Sequence, residues 1–113
     1  MQGKELPLDA ATKELNNGAK GRSIDIDKQG RYAVLGMRDG SVRLYKIAKG
    51  AWQLMGVDKT RKSWIQCVKF SPNGRQIAVG SHDGFVDIYD TEPFACKKKM
   101  KASSSAVTQL DWS

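Results

Sequence analysis

The sequence predicts an all-β fold assembled from four-stranded antiparallel sheets, and three observations predict it. The first is an internal repeat. Residues 22–47, RSIDIDKQGRYAVLGMRDGSVRLYKI, align without a gap with residues 66–91, QCVKFSPNGRQIAVGSHDGFVDIYDT, at an offset of 44. Gly30-Arg31 matches Gly74-Arg75, Gly36 matches Gly80, Asp39-Gly40 matches Asp83-Gly84, and Val42 and Tyr45 match Val86 and Tyr89. The second is apolar agreement: Ile24 with Val68, Ile26 with Phe70, Leu35 with Val79, and Leu44 with Ile88. The third is punctuation. Turn signals cut each copy into short segments rich in β-branched and aromatic residues, the signature of strands rather than helices.

The elements follow in order. Strands are expected near Ser23–Ile26, Tyr32–Gly36, Ser41–Ile47 and Trp52–Val57 in the first copy. In the second, Gln66–Phe70 reads as a strand, and Ser71-Pro72-Asn73-Gly74 is a turn whose Asn-Gly pair suits positive φ. Gln76–Gly80 is short and continuously apolar, the pattern of a strand covered on both faces. His82-Asp83-Gly84 turns the chain into Phe85–Tyr89, Glu92-Pro93 interrupts it, and Phe94–Met100 makes a weaker, exposed fourth strand. Four antiparallel strands in about 44 residues is the period of a β-propeller blade.

Two blades, 22–64 and 65–106, account for most of the chain. Val107-Thr108-Gln109-Leu110-Asp111-Trp112-Ser113 matches Ile65–Ser71 and reads as the first strand of a third. The expectation is an incomplete propeller of about two and a half blades cut from a longer array. Such a fragment needs the remaining blades of its parent to cover its end faces. Residues 1–21 stand outside the repeat and read as a loop or linker, given Pro7 and Asn16-Asn17-Gly18, with a helical turn or two over Asp9–Leu15.

Composition excludes several functions. Apolar runs of four or five residues are far short of the roughly 20 that span a bilayer, and Met1 does not open a signal peptide. The expected setting is therefore the cytoplasm, with no membrane partner. Cys67 and Cys96 are too few and too far apart for a disulfide framework or a zinc site, and read as reduced thiols. No phosphate-binding glycine loop of either common pattern is present. Trp52, Trp64 and Trp112 do not alternate with basic residues as a base-stacking platform would, so no specific nucleic-acid binding is expected. Packing between blades is their expected use. Nineteen Lys and Arg against twelve Asp and Glu give a net charge of +7, an excess that attracts acidic partners at long range.

The polar residues of the turns invite a structural and a chemical reading. Asp39-Gly40 and Asp83-Gly84 recur at one position of each copy. A carboxylate that accepts backbone N–H groups while glycine supplies positive φ explains that recurrence. A catalytic acid is seldom duplicated blade by blade. His82, the single histidine, aligns with Arg38 and has no nucleophile in an elbow context, so it reads as a solvated or packing residue. No enzyme activity, metal or cofactor is expected, and none at His82, Cys67 or Cys96.

The S-P-N-G turn, apolar strand, G-S-x-D-G turn and closing aromatic-Asp pair together resemble the WD repeat. Tyr89-Asp90 stands where that family has Trp-Asp, Tyr45-Lys46 departs further, and the Gly-His pair before the first strand is absent. The stretch Ile77–Tyr89, with Gly80-Ser81-His82-Asp83, followed by Leu110-Asp111-Trp112-Ser113, is similar to part of the echinoderm microtubule-associated protein-like family. That resemblance implies WD-repeat propellers, protein partners, tubulin or microtubules among them, and a cytoskeletal setting. A general WD-repeat scaffold of a ciliary, trafficking or RNA-processing complex is the alternative. Lys97, Lys98, Lys99 and Lys101 cluster in the outermost strand of the second blade, with Arg61 and Lys62 in the loop before Trp64. Two readings stay open: solvating charges that discourage edge pairing, or contacts to an acidic partner such as tubulin.

Overall fold

The structure, a computed structural model, describes residues 5–7, 23–102, 110 and 112. Every regular element among them is a strand: β1 (Glu5–Pro7), β2 (Ser23–Ile26), β3 (Tyr32–Gly36), β4 (Val42–Ala48), β5 (Ala51–Asp58), β6 (Ile65–Phe70), β7 (Gln76–Ser81), β8 (Phe85–Asp90) and β9 (Ala95–Lys101). They form two antiparallel sheets of order β1-β5-β4-β3-β2 and β6-β7-β8-β9. Neither a membrane-spanning helix nor any other helix occurs among the described residues.

The offset of the sequence repeat survives in the backbone. Gly30 and Gly74 have φ of 70° and 72°, and Gly40 and Gly84 have 93° and 88°. Tyr32 pairs with Lys46 as Gln76 pairs with Asp90, and Gly36 with Val42 as Gly80 with Val86. Even the irregularity recurs: a bulge between Leu44 and Tyr45 in one sheet lies between Ile88 and Tyr89 in the other. The copies part company at the last hairpin. Lys49-Gly50, both at positive φ, join Ala48 to Ala51 directly, whereas four residues separate Asp90 from its partner Ala95.

The main core lies between the sheets. Tyr32, Val34, Val42 and Leu44 of the first pack on Ile65, Val68, Phe70, Ile77, Val79 and Tyr89 of the second. The alternate residues of the first sheet, Ala33, Leu35, Tyr45 and Trp52, form a second buried cluster on its other face. Strands buried on both faces need the continuous apolar runs found in β3 and β7. Polar groups tie the sheets as well. Asp25 accepts the Phe70 N–H at 2.8 Å, and the Arg31 guanidinium reaches the Asn73 carbonyl at 3.4 Å.

The segment expected to be loop or linker departs from that reading at β1, which adds a fifth strand to the first sheet with Glu5 opposite Gln53 and Pro7 opposite Ala51. The reason is backbone rather than side chain. β5 would otherwise present an unpaired edge, and a three-residue stretch can fill it without an apolar pattern, with Pro7 acceptable on an edge strand. The helical turn over Asp9–Leu15 lies outside the described residues. So does most of the third copy, although the Trp112 indole donates to the Lys69 carbonyl at 3.2 Å.

Candidate protein-binding surface

Turns place the charged groups at the two ends of the strands. At one end stand the β3–β4 turn, the β5–β6 loop and the β7–β8 turn. Asp39 accepts from both the N–H and the hydroxyl of Ser41, at 2.9 and 2.7 Å. Asp83 accepts from the Ser81 hydroxyl and from the Phe85 N–H. Gly40 and Gly84 follow each aspartate at positive φ. The same carboxylate thus closes the same turn in each blade.

Arg61 departs from its sequence reading as a surface charge. Its side chain is 13% exposed and its guanidinium lies against Asp87, with Nη2–Oδ1 at 2.7 Å and Nε–Oδ2 at 3.1 Å; Asp83 is a further partner at 3.4 Å. Asp87 is buried on β8, facing the space between the sheets. The Arg61 cation also sits 4.2 Å from the centre of the Phe85 ring. The hydrogen bonds to Asp87 push the Arg61 pKa above its ordinary value. A cation that neutralises a buried carboxylate is part of the fold and is not free for a partner.

The lysines of β9 are exposed, and most have local company. β9 is an edge of the second sheet. Lys99 lies 3.9 Å from Asp87 and Lys97 lies 3.8 Å from Asp90, while Lys101 reaches the Asp83 carbonyl and the Phe85 ring. Lys62 and Lys98 are exposed without an ion-pair partner among the described residues. The Lys97–Asp90 pair, open to solvent at both ends, is weak and exchangeable, contributing ~0.2–1 kcal/mol.

Sequence reasoning missed two features here. Asp27 heads the β2–β3 turn by accepting the N–H groups of Arg31 and Tyr32, and Ser71 holds the equivalent position by accepting the Gln76 N–H. The two align at the repeat offset, but their chemical difference hides the shared role. Asp58 at the end of β5 accepts the Tyr89 hydroxyl at 2.7 Å. Burial and the Asp58 hydrogen bond push the Tyr89 pKa well up. At the opposite end of the strands a cleft of about 570 Å³ is lined by Arg31, Asn73, Arg75, Asp90 and Glu92 among others. Burial and a bond to Glu92 push Tyr32 beside it up to about 12. Cys67 is raised by burial, the direction of an unreactive thiol.

These carboxylates make acid sensitivity predictable. The Ser41 hydroxyl and N–H lower the Asp39 pKa. Burial opposes ionisation of Asp58 and Asp83, but bonds from Thr60 and Tyr89 to the one, and from Ser81, Phe85 and Arg61 to the other, outweigh it. All three therefore sit below the ~3.9 of an unfolded aspartate. The unfolded chain protonates first as pH falls, so the stabilisation is complete above about pH 5 and is lost as pH drops through the folded values. Thermal melts between pH 7 and 3 will show a flat upper limb and a falling acid limb. In Asp83→Asn the acid limb will be shallower on a lower plateau. An unchanged Tm down to pH 3 would refute the assignment.

The comparisons agree with this architecture. Residues 50–113 match the family profile described as the anaphase-promoting complex subunit 4 WD40 domain. The chain is similar to the ciliary WD repeat-containing protein ctxp80 of Euplotoides octocarinatus, 34% identical over 100 residues and covering 82% of this chain. It is also similar to the echinoderm microtubule-associated protein-like 2 of Rattus norvegicus, 36% identical over 86 residues and 65% of this chain. The chain spans 13% of the length of each. Among solved structures, Sqt1 of Chaetomium thermophilum bound to the N-terminus of the ribosomal protein L10 superposes with a TM-score of 0.69 at 21% identity, over 76% of this chain and 23% of that one. With its repeated unit of four antiparallel strands and its recurring turn aspartates, the chain belongs to the WD40-repeat β-propeller family.

Proposed function

We propose that this chain is part of a microtubule-associated WD-repeat protein, in which it serves as a non-catalytic scaffold that binds acidic protein partners. The observation that carries the reading is the exposed lysine run of β9, Lys97, Lys98, Lys99 and Lys101, on an edge strand of a chain with a net charge of +7. Relatives named for cilia and for microtubule association support it. In this reading the blades run 22–64 and 65–106, residues 107–113 open a third, and the segment before residue 22 adds β1 to the first. The setting is cytoskeletal or ciliary cytoplasm. A second reading, a scaffold of a different assembly, draws on the fold shared with Sqt1, whose structure holds a ribosomal protein segment.

Electrostatic binding makes a quantitative expectation. Exposed charges are screened over about 8 Å at physiological ionic strength. Four rim lysines at ~0.3–0.5 kcal/mol each amount to about a tenfold change in affinity. Co-sedimentation of the full-length protein with microtubules will weaken with salt. A variant with Lys97, Lys98, Lys99 and Lys101 changed to Gln will bind about tenfold more weakly at low salt and approach wild type at high salt. Equal binding at every salt concentration would remove the lysine edge from the mechanism. Absence of co-sedimentation by the wild type would leave the second reading.

A further inference from the structure

Trp64 is a large aromatic residue that the core does not use. It belongs to neither buried cluster and is half-buried at the seam between the sheets. Its main chain is nonetheless fixed from both sides. The Ile65 N–H donates to the Met37 carbonyl at 3.0 Å, and the His82 N–H donates to the Trp64 carbonyl at 2.8 Å. Its ring is held too. The Arg38 guanidinium lies 5.0 Å from the ring centre. The His82 ring stacks at 6.2 Å with an interplanar angle of 21°. Gln66 Nε2 in turn stands 3.2 Å from His82 Nδ1.

The repeat does not require this stack. Arg38 and His82 occupy equivalent turns of the two blades, but forty-four residues before and after Trp64 stand Lys20 and Thr108. Residues that build a blade, such as Asp39 and Asp83, recur. A tryptophan stands at one of these three repeat positions alone. Around it, the carboxylates of Asp39, Asp58 and Asp83 are engaged by groups of the fold. The exposed Arg38, Lys59 and Lys62 have no ion-pair partner among the described residues. A preset Trp flanked by cations that no carboxylate among the described residues pairs has the composition of an interface hot spot, and its fixed ring loses little entropy on binding.

We propose that the Arg38–Trp64–His82 stack anchors a binding surface for an acidic peptide segment of a protein partner. The apolar stem of a glutamate lies on the indole, and carboxylates reach Arg38 and Lys62. The proposal rests on the reading of the chain as a protein-binding scaffold, and it adds a peptide site at the seam, separate from the β9 lysines that face the microtubule. The probe is a fluorescein-labelled octa-glutamate peptide, with anisotropy measured on the full chain across a salt series. The wild type will bind, more weakly as salt rises. Trp64→Ala will weaken binding about tenfold or more, the range of a Trp hot spot. Arg38→Gln will weaken it about threefold or more. The Gln variant of the four β9 lysines will stay within about twofold of wild type. Circular dichroism melts report folding; if Trp64→Ala unfolds, the exposed Arg38 decides. Wild-type affinity in both variants, or no binding by the wild type, overturns the proposal. Trp64-dependent peptide binding without microtubule co-sedimentation removes the microtubule reading and keeps this one. Lysine-dependent co-sedimentation without Trp64-dependent peptide binding does the reverse.

Discussion

Arg61→Ala will destabilise the chain by about 3–5 kcal/mol, the cost of leaving a buried carboxylate without its cation. Asp87 is 1% exposed on β8, and two of its bonds come from one guanidinium in a loop 26 residues earlier. Lys99, at 3.9 Å and on an exposed strand, is too distant and too well hydrated to replace it. Native domains are stable by only about 5–15 kcal/mol, so the variant loses a large share of that and its urea midpoint falls well below that of the wild type. Lys62→Ala, one residue along the same loop and exposed, will change stability by less than about 0.5 kcal/mol. Arg61→Met with Asp87→Leu will recover much of the loss, because the desolvation of both charges disappears with them. Equal effects of Arg61→Ala and Lys62→Ala would show that the pair does not hold the β5–β6 loop.

That pair also marks where legibility stopped. The strands could be read because a period of 44 residues repeats both the apolar alternation and the turn chemistry, and each copy corrects the other. Asp39 and Asp83 were visible for the same reason. Arg61 lies in a loop, and the first copy offers no counterpart to its bond with Asp87, since Arg43 occupies that position on β4. Sequence showed a basic loop; only three-dimensional placement shows a cation turned inward. The β1 strand escaped because main-chain pairing at a sheet edge needs no side-chain pattern. The Trp64 stack escaped because its three members lie in three separate segments, with His82 brought to Trp64 by β6–β7 pairing and Arg38 by the approach of the other sheet.

The β5–β6 loop links stability to the seam. It packs closely on the β3–β4 turn at Gly40. Gly40 has a φ of +93°, and a Cβ there would stand 2.0 Å from the Arg61 carbonyl oxygen and 2.9 Å from the Ser63 nitrogen. Gly40→Ala therefore meets two costs at once. Positive φ is worth roughly 1–2 kcal/mol against an L side chain, and a clash with main chain, which cannot rotate away, adds roughly 1–3 kcal/mol. The expected loss is roughly 2–5 kcal/mol. Gly30→Ala separates the two terms, because Gly30 has a φ of +70° and nothing within 4 Å of its Cβ position. It will lose roughly 1–2 kcal/mol, the conformational cost alone. In Gly40→Ala the loop must retreat, taking Arg61 from Asp87 and Trp64 from Arg38. Chemical denaturation followed by circular dichroism gives the stabilities, and tryptophan emission of the folded state reports the seam. Gly40→Ala should shift that emission while Gly30→Ala leaves it unchanged; equal losses and unchanged spectra in both would mean that the loop and the turn are not mechanically joined.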